Sequence, residues 1–158
     1  VAYLDKMSQD KSPLKVTAAL TFMEGAVLFS IFGYFKGFNS RGHNKIPHFV
    51  AGIDASAKDE NFHSLASAKL FNTCLTERVE AGNWSELENS SLFFDIQEMA
   101  EAVYTHELRI IENLFAKGDT AVISKSELIS FLQDRINICL QRLGLEPMFH
   151  KSIGVISE

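Results

Sequence analysis

An apolar run over residues 16–35 (VTAALTFMEGAVLFSIFGYF) dominates the pattern of hydrophobic positions, and Glu24 is its one charged residue. By length alone, the run could cross a membrane. A carboxylate at mid-bilayer costs about 3 kcal/mol, however, and the run also contains glycines and threonines. A helix surrounded by other helices has the same composition. We therefore predict a buried helix of a bundle and no membrane span.

A polar stretch, residues 37–45, follows the run and is predicted to be a loop. The next pattern advances by alternating steps of four and three residues, the spacing of a helix packed in a bundle. It fades near Gly82, where we expect the helix to end. The predicted seam of this helix mixes apolar, small and polar side chains: Phe49, Ile53, Ser56, Glu60, His63, Ser67, Leu70 and Cys74.

Two more helices are predicted in the second half of the chain. Residues 83–90 look like a connection, and a third helix is expected over residues 91–116. The basic residue and glycine at Lys117-Gly118 favour an end there. A fourth helix opens with the capping box Ser124–Glu127. We expect four to five helices, no strands, and one helical domain over residues 1–158.

Composition narrows the classes of function. The chain has 158 residues, 46% of them hydrophobic, which suffices for one domain with a substantial core. A net charge of −5 offers no basic surface for phosphates, so nucleic acid is not an expected partner. Two cysteines in apolar stretches and a polar N-terminal segment favour a reducing, cytoplasmic location. Phosphate-loop and hydrolase motifs are absent from the sequence.

Glu24 and the motif Glu60-Asn-Phe-His63 are the candidate chemical groups. Residues at positions i and i+3 share one helix face. About 20 Å of helix separates Glu24 from the predicted loop, and a similar length leads back to Glu60. An antiparallel pair of helices would therefore place Glu24 at the same height along the helix axes as Glu60 and His63. Taken singly, each has a plainer interpretation: Glu24 in a buried ion pair, and His63 bonded to a backbone carbonyl.

Two carboxylates and an imidazole that converge in an apolar interior need a cation among them. Such a trio is half of a carboxylate-bridged dimetal centre, in which two helices give one Glu each and two others give Glu-x-x-His. No other histidine of the chain has a glutamate three residues before it. The remaining ligands are therefore expected from another polypeptide or from a second copy of this one.

These residues resemble the C-terminal half of the small, radical-generating subunit of class I ribonucleotide reductase. Met23–Gly25, followed by the aromatic-rich segment Val27–Phe38, resembles that family's helix with a single glutamate ligand. Ala57–His63 resembles its second Arg-Asp-Glu-x-x-His motif, with Lys58 in place of the arginine. Ser124–Phe149 resembles a late helix and its Gly-Leu turn. The similarity spans nearly the whole chain.

The resemblance implies a ferritin-like, all-α bundle, of which this chain is a part completed by another chain. It implies that Glu24, Glu60 and His63 are ligands of a dinuclear metal centre. Iron is the first expectation, and manganese or a mixed centre is the alternative.

The resemblance also gives expectations for three neighbouring residues. Asp59 matches the aspartate of the family's radical-transfer relay, and its plainer interpretation is a solvated acid. Leu28 and Phe32 fall where the family lines the apolar pocket around its radical, although core packing explains them equally well.

The implied partners are the complementary N-terminal half of the small subunit and the large catalytic subunit. Together they would make deoxyribonucleotides for DNA replication, and the chain alone is not expected to be active. The family's first carboxylate ligand and first Glu-x-x-His have no match in these residues, and Tyr3, Tyr34 and Tyr104 do not match its radical tyrosine. A small subunit split into two chains is therefore the expected organisation. The alternatives are a homodimeric ferritin-like dimetal oxidase and a metal-free helical interaction protein.

Overall fold

The computed structural model describes residues 2–150 and contains, in that range, six α-helices and no strand. This confirms the prediction of an all-α fold. The number of helices exceeds the predicted four to five because a short N-terminal helix was not expected and the long apolar helix is broken in two. The helices are α1 (Ala2–Ser8), α2 (Pro13–Gly25), α3 (Phe29–Gly37), α4 (Pro47–Glu80), α5 (Glu86–Leu114) and α6 (Lys125–Arg142).

Side-chain caps determine where α5 and α6 begin. Ser124 Oγ accepts a hydrogen bond from Glu127 N–H, and the Glu127 carboxylate accepts one from Ser124 N–H, as a capping box requires. Ser85 and Glu88 form the same reciprocal pair at the start of α5. The connection predicted over residues 83–90 is therefore too long, because it contains the cap and first turn of α5.

The apolar run does not form one continuous helix. Leu28 adopts a left-handed conformation with a φ of 70°, which separates α2 from α3. This conformation costs a residue other than glycine about 1–2 kcal/mol. The single helix predicted over residues 16–35 is wrong at this point, because leucine carries no turn signal. The break places Glu24 in the last turn of α2.

α2 lies at the centre of the fold and packs against α1, α4, α5 and α6. The hydroxyls of Thr17 and Thr21 donate to the carbonyl oxygens of Pro13 and Thr17 at 2.7 and 2.9 Å, so they are satisfied inside the core. Residues 13–37 are long and apolar enough to cross a membrane by length and composition, and 50% of their most apolar window is buried in the fold. Packing among helices accounts for the apolar composition of α2.

The buried face of α4 lies beside the predicted seam and does not coincide with it. Phe49 and Leu70, two seam positions, are each 54% exposed, and Ser56 and His63 are exposed as well. The spacing predicts a helix more firmly than it predicts a dry core, and α4 is a helix over the whole seam. The exposed seam positions lie on a flank that no helix within residues 2–150 covers. The buried residues of α4 are Val50, Ile53, Ser64, Ala68 and Phe71.

Candidate metal centre

α4 runs antiparallel to α2 and α3, and this arrangement brings the candidate ligands together. Lys36 of α3 forms an ion pair with Asp54 of α4 at 3.0 Å. Further along, Ser64 Oγ of α4 donates to Thr21 O of α2 at 2.8 Å. Because contacts run in opposite order along the two segments, Glu24 lies beside the Glu-x-x-His turn of α4.

Donor atoms of Glu24, Glu60 and His63 all lie within 4.8 Å of one another. His63 Nδ1 is 3.4 Å from Glu60 Oε2 and 3.7 Å from Glu24 Oε2, so one ring nitrogen faces both carboxylates. The other ring nitrogen, Nε2, is 3.7 Å from Asp59 Oδ1. Among residues 2–150, no other group of three His, Cys, Asp or Glu side chains converges in this way.

The three groups perturb one another's protonation. The hydrogen bond with Glu60 raises the pKa of Glu24, and burial adds to this effect. The same hydrogen bond lowers the pKa of Glu60. The pKa of His63 is raised, chiefly by its hydrogen bond to Glu60 and then by the charges of Asp59 and Glu24. Glu24 and His63 therefore hold protons more strongly than usual, and these protons offset the negative charge of the cluster. A divalent cation bound there would offset the same charge.

One side of this cluster is open. The side chains of Glu24, Glu60 and His63 are 31%, 37% and 49% exposed. A cavity of about 540 Å³ beside them is lined by Met23 and Leu28, among others. The predicted apolar interior around the ligands is thus incomplete, because no helix within residues 2–150 covers the flank of α4 that carries His63.

Three other predicted site residues lie around the cluster. Leu28 is 48% exposed and lines the cavity next to Glu24. Phe32 is half-buried and packs edge-on against Phe29, with ring centroids 5.5 Å apart. The Asp59 side chain is 71% exposed. The pocket-lining roles of Leu28 and Phe32 and the relay role of Asp59 therefore stay predictions.

Sequence reasoning missed a set of polar contacts next to the candidate ligands. Arg135 and Arg142 of α6 donate hydrogen bonds to Asn61 and Ser64 of α4. The available signal was the spacing of the two arginines, which lie two turns apart on one face of α6. That spacing indicates a shared face but does not indicate which residues meet it.

Gly25 permits the close approach of α2, α4 and α6 next to Glu24. A Cβ at this position would lie 2.6 Å from Cys139 Sγ and closer still to Ser64 Oγ. Gly25→Ala should therefore lower the free energy of unfolding by about 1–3 kcal/mol, the usual cost of overpacking a core. Chemical denaturation followed by circular dichroism measures this change.

The matched control is Gly52→Ala in α4. A Cβ at Gly52 meets nothing within 4 Å, so the substitution only replaces glycine with a better helix former. It should raise the free energy of unfolding of the chain by about 0.5–1 kcal/mol. Equal effects of the same sign at Gly25 and Gly52 would contradict the close approach.

A family comparison adds an independent observation to this geometry. The profile of the family described as "Ribonucleotide reductase, small chain" matches residues 1–154. The chain belongs to this family. No curated protein matches it significantly. Small chains of this type belong to an oxidoreductase complex, carry a dinuclear metal centre and associate with a large catalytic subunit.

The donors of this small chain fit one half of a dinuclear centre. Ferritin-like dimetal proteins draw one Glu from each of two helices and Glu-x-x-His from each of two others. Here α2 supplies the single Glu24, and α4 supplies Glu60 and His63. Carboxylates and imidazole also suit iron and manganese.

Proposed function

We propose that this chain is part of the small subunit of ribonucleoside-diphosphate reductase and that Glu24, Glu60 and His63 hold half of its dinuclear centre. The convergence of these three donors carries the proposal. When bound, the centre, with iron first and manganese or a mixed centre as alternatives, supplies oxygen activation and the oxidation that yields the radical used by the large subunit.

The chain's own residues control protonation at the donor atoms. Metal binding requires His63 to be neutral and Glu24 to release its proton. A proton on His63 Nε2 faces Asp59 and leaves the lone pair of Nδ1 on the side of the two carboxylates. Asp59 would therefore favour this tautomer through its charge. Its place directly before Glu60 in the family's motif supports a further role in the radical-transfer relay.

Apolar side chains at the break between α2 and α3 and in the first turn of α3 would protect the centre. Leu28 borders the cavity beside Glu24, and Phe32 lies one turn further along α3. In the assembled subunit these side chains would exclude water, which strengthens electrostatic interactions inside the site.

The complementary N-terminal half of the small subunit is the proposed partner. It would supply the second single carboxylate ligand and the second Glu-x-x-His, which residues 2–150 do not bring to the site. Large apolar side chains lie exposed near the ligands and along α4, including Leu28, Phe62 and Leu70 at 48%, 66% and 54%. Exposed apolar surface of this kind favours association. The free cysteines Cys74 and Cys139 fit assembly in the reducing cytoplasm.

Metal analysis of defined assemblies tests the proposal. The chain should be measured alone and after co-assembly with a segment that carries the remaining carboxylate and Glu-x-x-His. We expect little metal on the chain alone and two metal ions per assembled site, as the family's dinuclear centre requires. Prolonged chelation should remove the optical bands and lower the melting temperature of the complex.

Two other outcomes would replace the proposal. A metal-loaded dimer of this chain alone, seen by sedimentation, would favour a homodimeric oxidase, since two copies supply two single glutamates and two Glu-x-x-His motifs. A complex whose spectrum and melting temperature do not respond to chelation would favour a metal-free interaction protein.

A further inference from the structure

Two arginines of α6 contact the segments that carry the candidate ligands. Arg135 donates from Nε to Gly25 O at 2.9 Å and from Nη2 to Asn61 Oδ1 at 3.2 Å. Arg142 donates from Nη2 to the same Asn61 oxygen at 2.8 Å and from Nη1 to Ser64 Oγ at 2.9 Å. We call these five residues the arginine clasp.

Each acceptor of the clasp directly follows a candidate ligand in the sequence. Gly25 follows Glu24, and it is the last residue of α2 before the break. Asn61 follows Glu60 and Ser64 follows His63 on α4. Ser64 also donates to Thr21 O of α2, so the same hydroxyl joins α2, α4 and α6. The clasp therefore ties both ligand-bearing segments to one rigid helix.

The clasp depends on the shape of the guanidinium group as well as on its charge. Both arginines are half-buried, and burial lowers the pKa of each. Neither forms an ion pair with a carboxylate in the part of the chain that the structure describes. Arg135 also lies over the ring of Phe29, 4.0 Å from its centroid. A planar fork can serve two acceptors at once, whereas the single nitrogen of lysine cannot hold the same pair of contacts.

We propose that Arg135 and Arg142 are positioning residues that hold Glu24, Glu60 and His63 at the spacing needed to bind metal. This inference rests on the proposed function of the site. It adds that α6, which supplies no ligand, sets the geometry of the ligands on α2 and α4. Because α2 ends one residue after Glu24, the bond from Arg135 to Gly25 O holds the end of the helix that carries this ligand.

Metal titration of the assembled subunit with Co²⁺ tests the inference, because the visible bands of this ion report ligand geometry. Arg135→Lys and Arg142→Lys keep the charge but lose the forked contacts. Each should weaken Co²⁺ binding by about 10- to 100-fold, as is usual when groups that orient metal ligands are removed, and should shift the bands. Asn61→Leu should have the same effect, whereas Asn61→Asp keeps an acceptor oxygen and should retain binding.

The matched control is Asn137→Ala on the same helix. Asn137 donates to Phe149 O and accepts from Met148 N–H, away from the clasp. This variant should lower stability without changing the Co²⁺ bands. Bands and affinity that stay unchanged in both lysine variants, or that change equally in Asn137→Ala, would overturn the positioning role. Failure of the unsubstituted assembly to bind Co²⁺ would instead overturn the proposed function.

Discussion

Glu60→Gln is expected to abolish metal binding by the assembled small subunit while leaving its helices intact. The carboxamide keeps the shape and hydrogen-bonding capacity of the carboxylate but removes the anionic donor. A covered, apolar site has no other means of balancing the charge of the metals. Glu24→Gln should act in the same way, and His63→Gln should lose metal because the imidazole donor is gone. Metal per assembled complex and the optical bands of the oxidised centre measure these effects.

Controls for this series come from the same helix. Glu77→Gln and His48→Gln alter exposed residues of α4 outside the cluster, so both should retain full metal content. Asp59→Asn should also retain metal but impair radical transfer, because Asp59 faces the far nitrogen of His63. Full metal occupancy in both Glu60→Gln and His63→Gln would contradict the ligand roles.

Sequence patterns predicted the features of the fold that depend on local signals. The capping box at Ser124 marked the start of α6, and the polar stretch over residues 37–45 marked the connection between α3 and α4. The juxtaposition of Glu24 with the Glu60–His63 turn followed from equal helix lengths on either side of that connection. These inferences need only spacing and capping chemistry, which one sequence contains.

Features that depend on tertiary contacts were not predictable in this way. The left-handed Leu28 has no sequence signal, because leucine is not among the residue types that favour this conformation. The buried face of α4 differs from the predicted seam, since Phe49 and Leu70 belong to a flank that residues 2–150 leave uncovered. That flank also carries His63, so the predicted seam includes positions that the proposed partner would cover.

The arginine clasp illustrates the same limit at the site itself. Asn61 and Arg135 are 74 residues apart in sequence, and Arg142 is 81 residues from Asn61. Nothing in the motif around Glu60 indicates that its neighbour accepts two guanidinium groups from another helix. Spacing can identify ligands, whereas the groups that orient those ligands become visible only once the helices are packed.

Lowering the pH should remove metal from the assembled subunit. Binding requires neutral His63, whose pKa is raised above its ordinary value of 6.5 by the hydrogen bond to Glu60. Glu24 must be ionised, and its pKa is raised above 4.5 by its hydrogen bond with Glu60. Protons should therefore compete with metal already on the alkaline side of 6.5, and again at the raised pKa of Glu24. Affinity should fall about tenfold per pH unit for each proton bound.

The metal-free chain should respond to pH in the opposite direction near neutrality. A raised pKa of His63 in the folded state contributes stability that is complete below the unfolded value of 6.5 and is lost as pH rises through the folded value. The free energy of unfolding of the metal-free chain should thus rise as pH falls through the raised pKa of His63 toward 6.5. The metal bound per complex should decline over the same interval. His63→Gln should remove both trends, and His48→Gln should keep them. Equilibrium dialysis and chemical denaturation at stepped pH measure the two quantities. A metal content that does not change between about pH 8 and about pH 5 would exclude these three groups as ligands, because binding to them must displace protons.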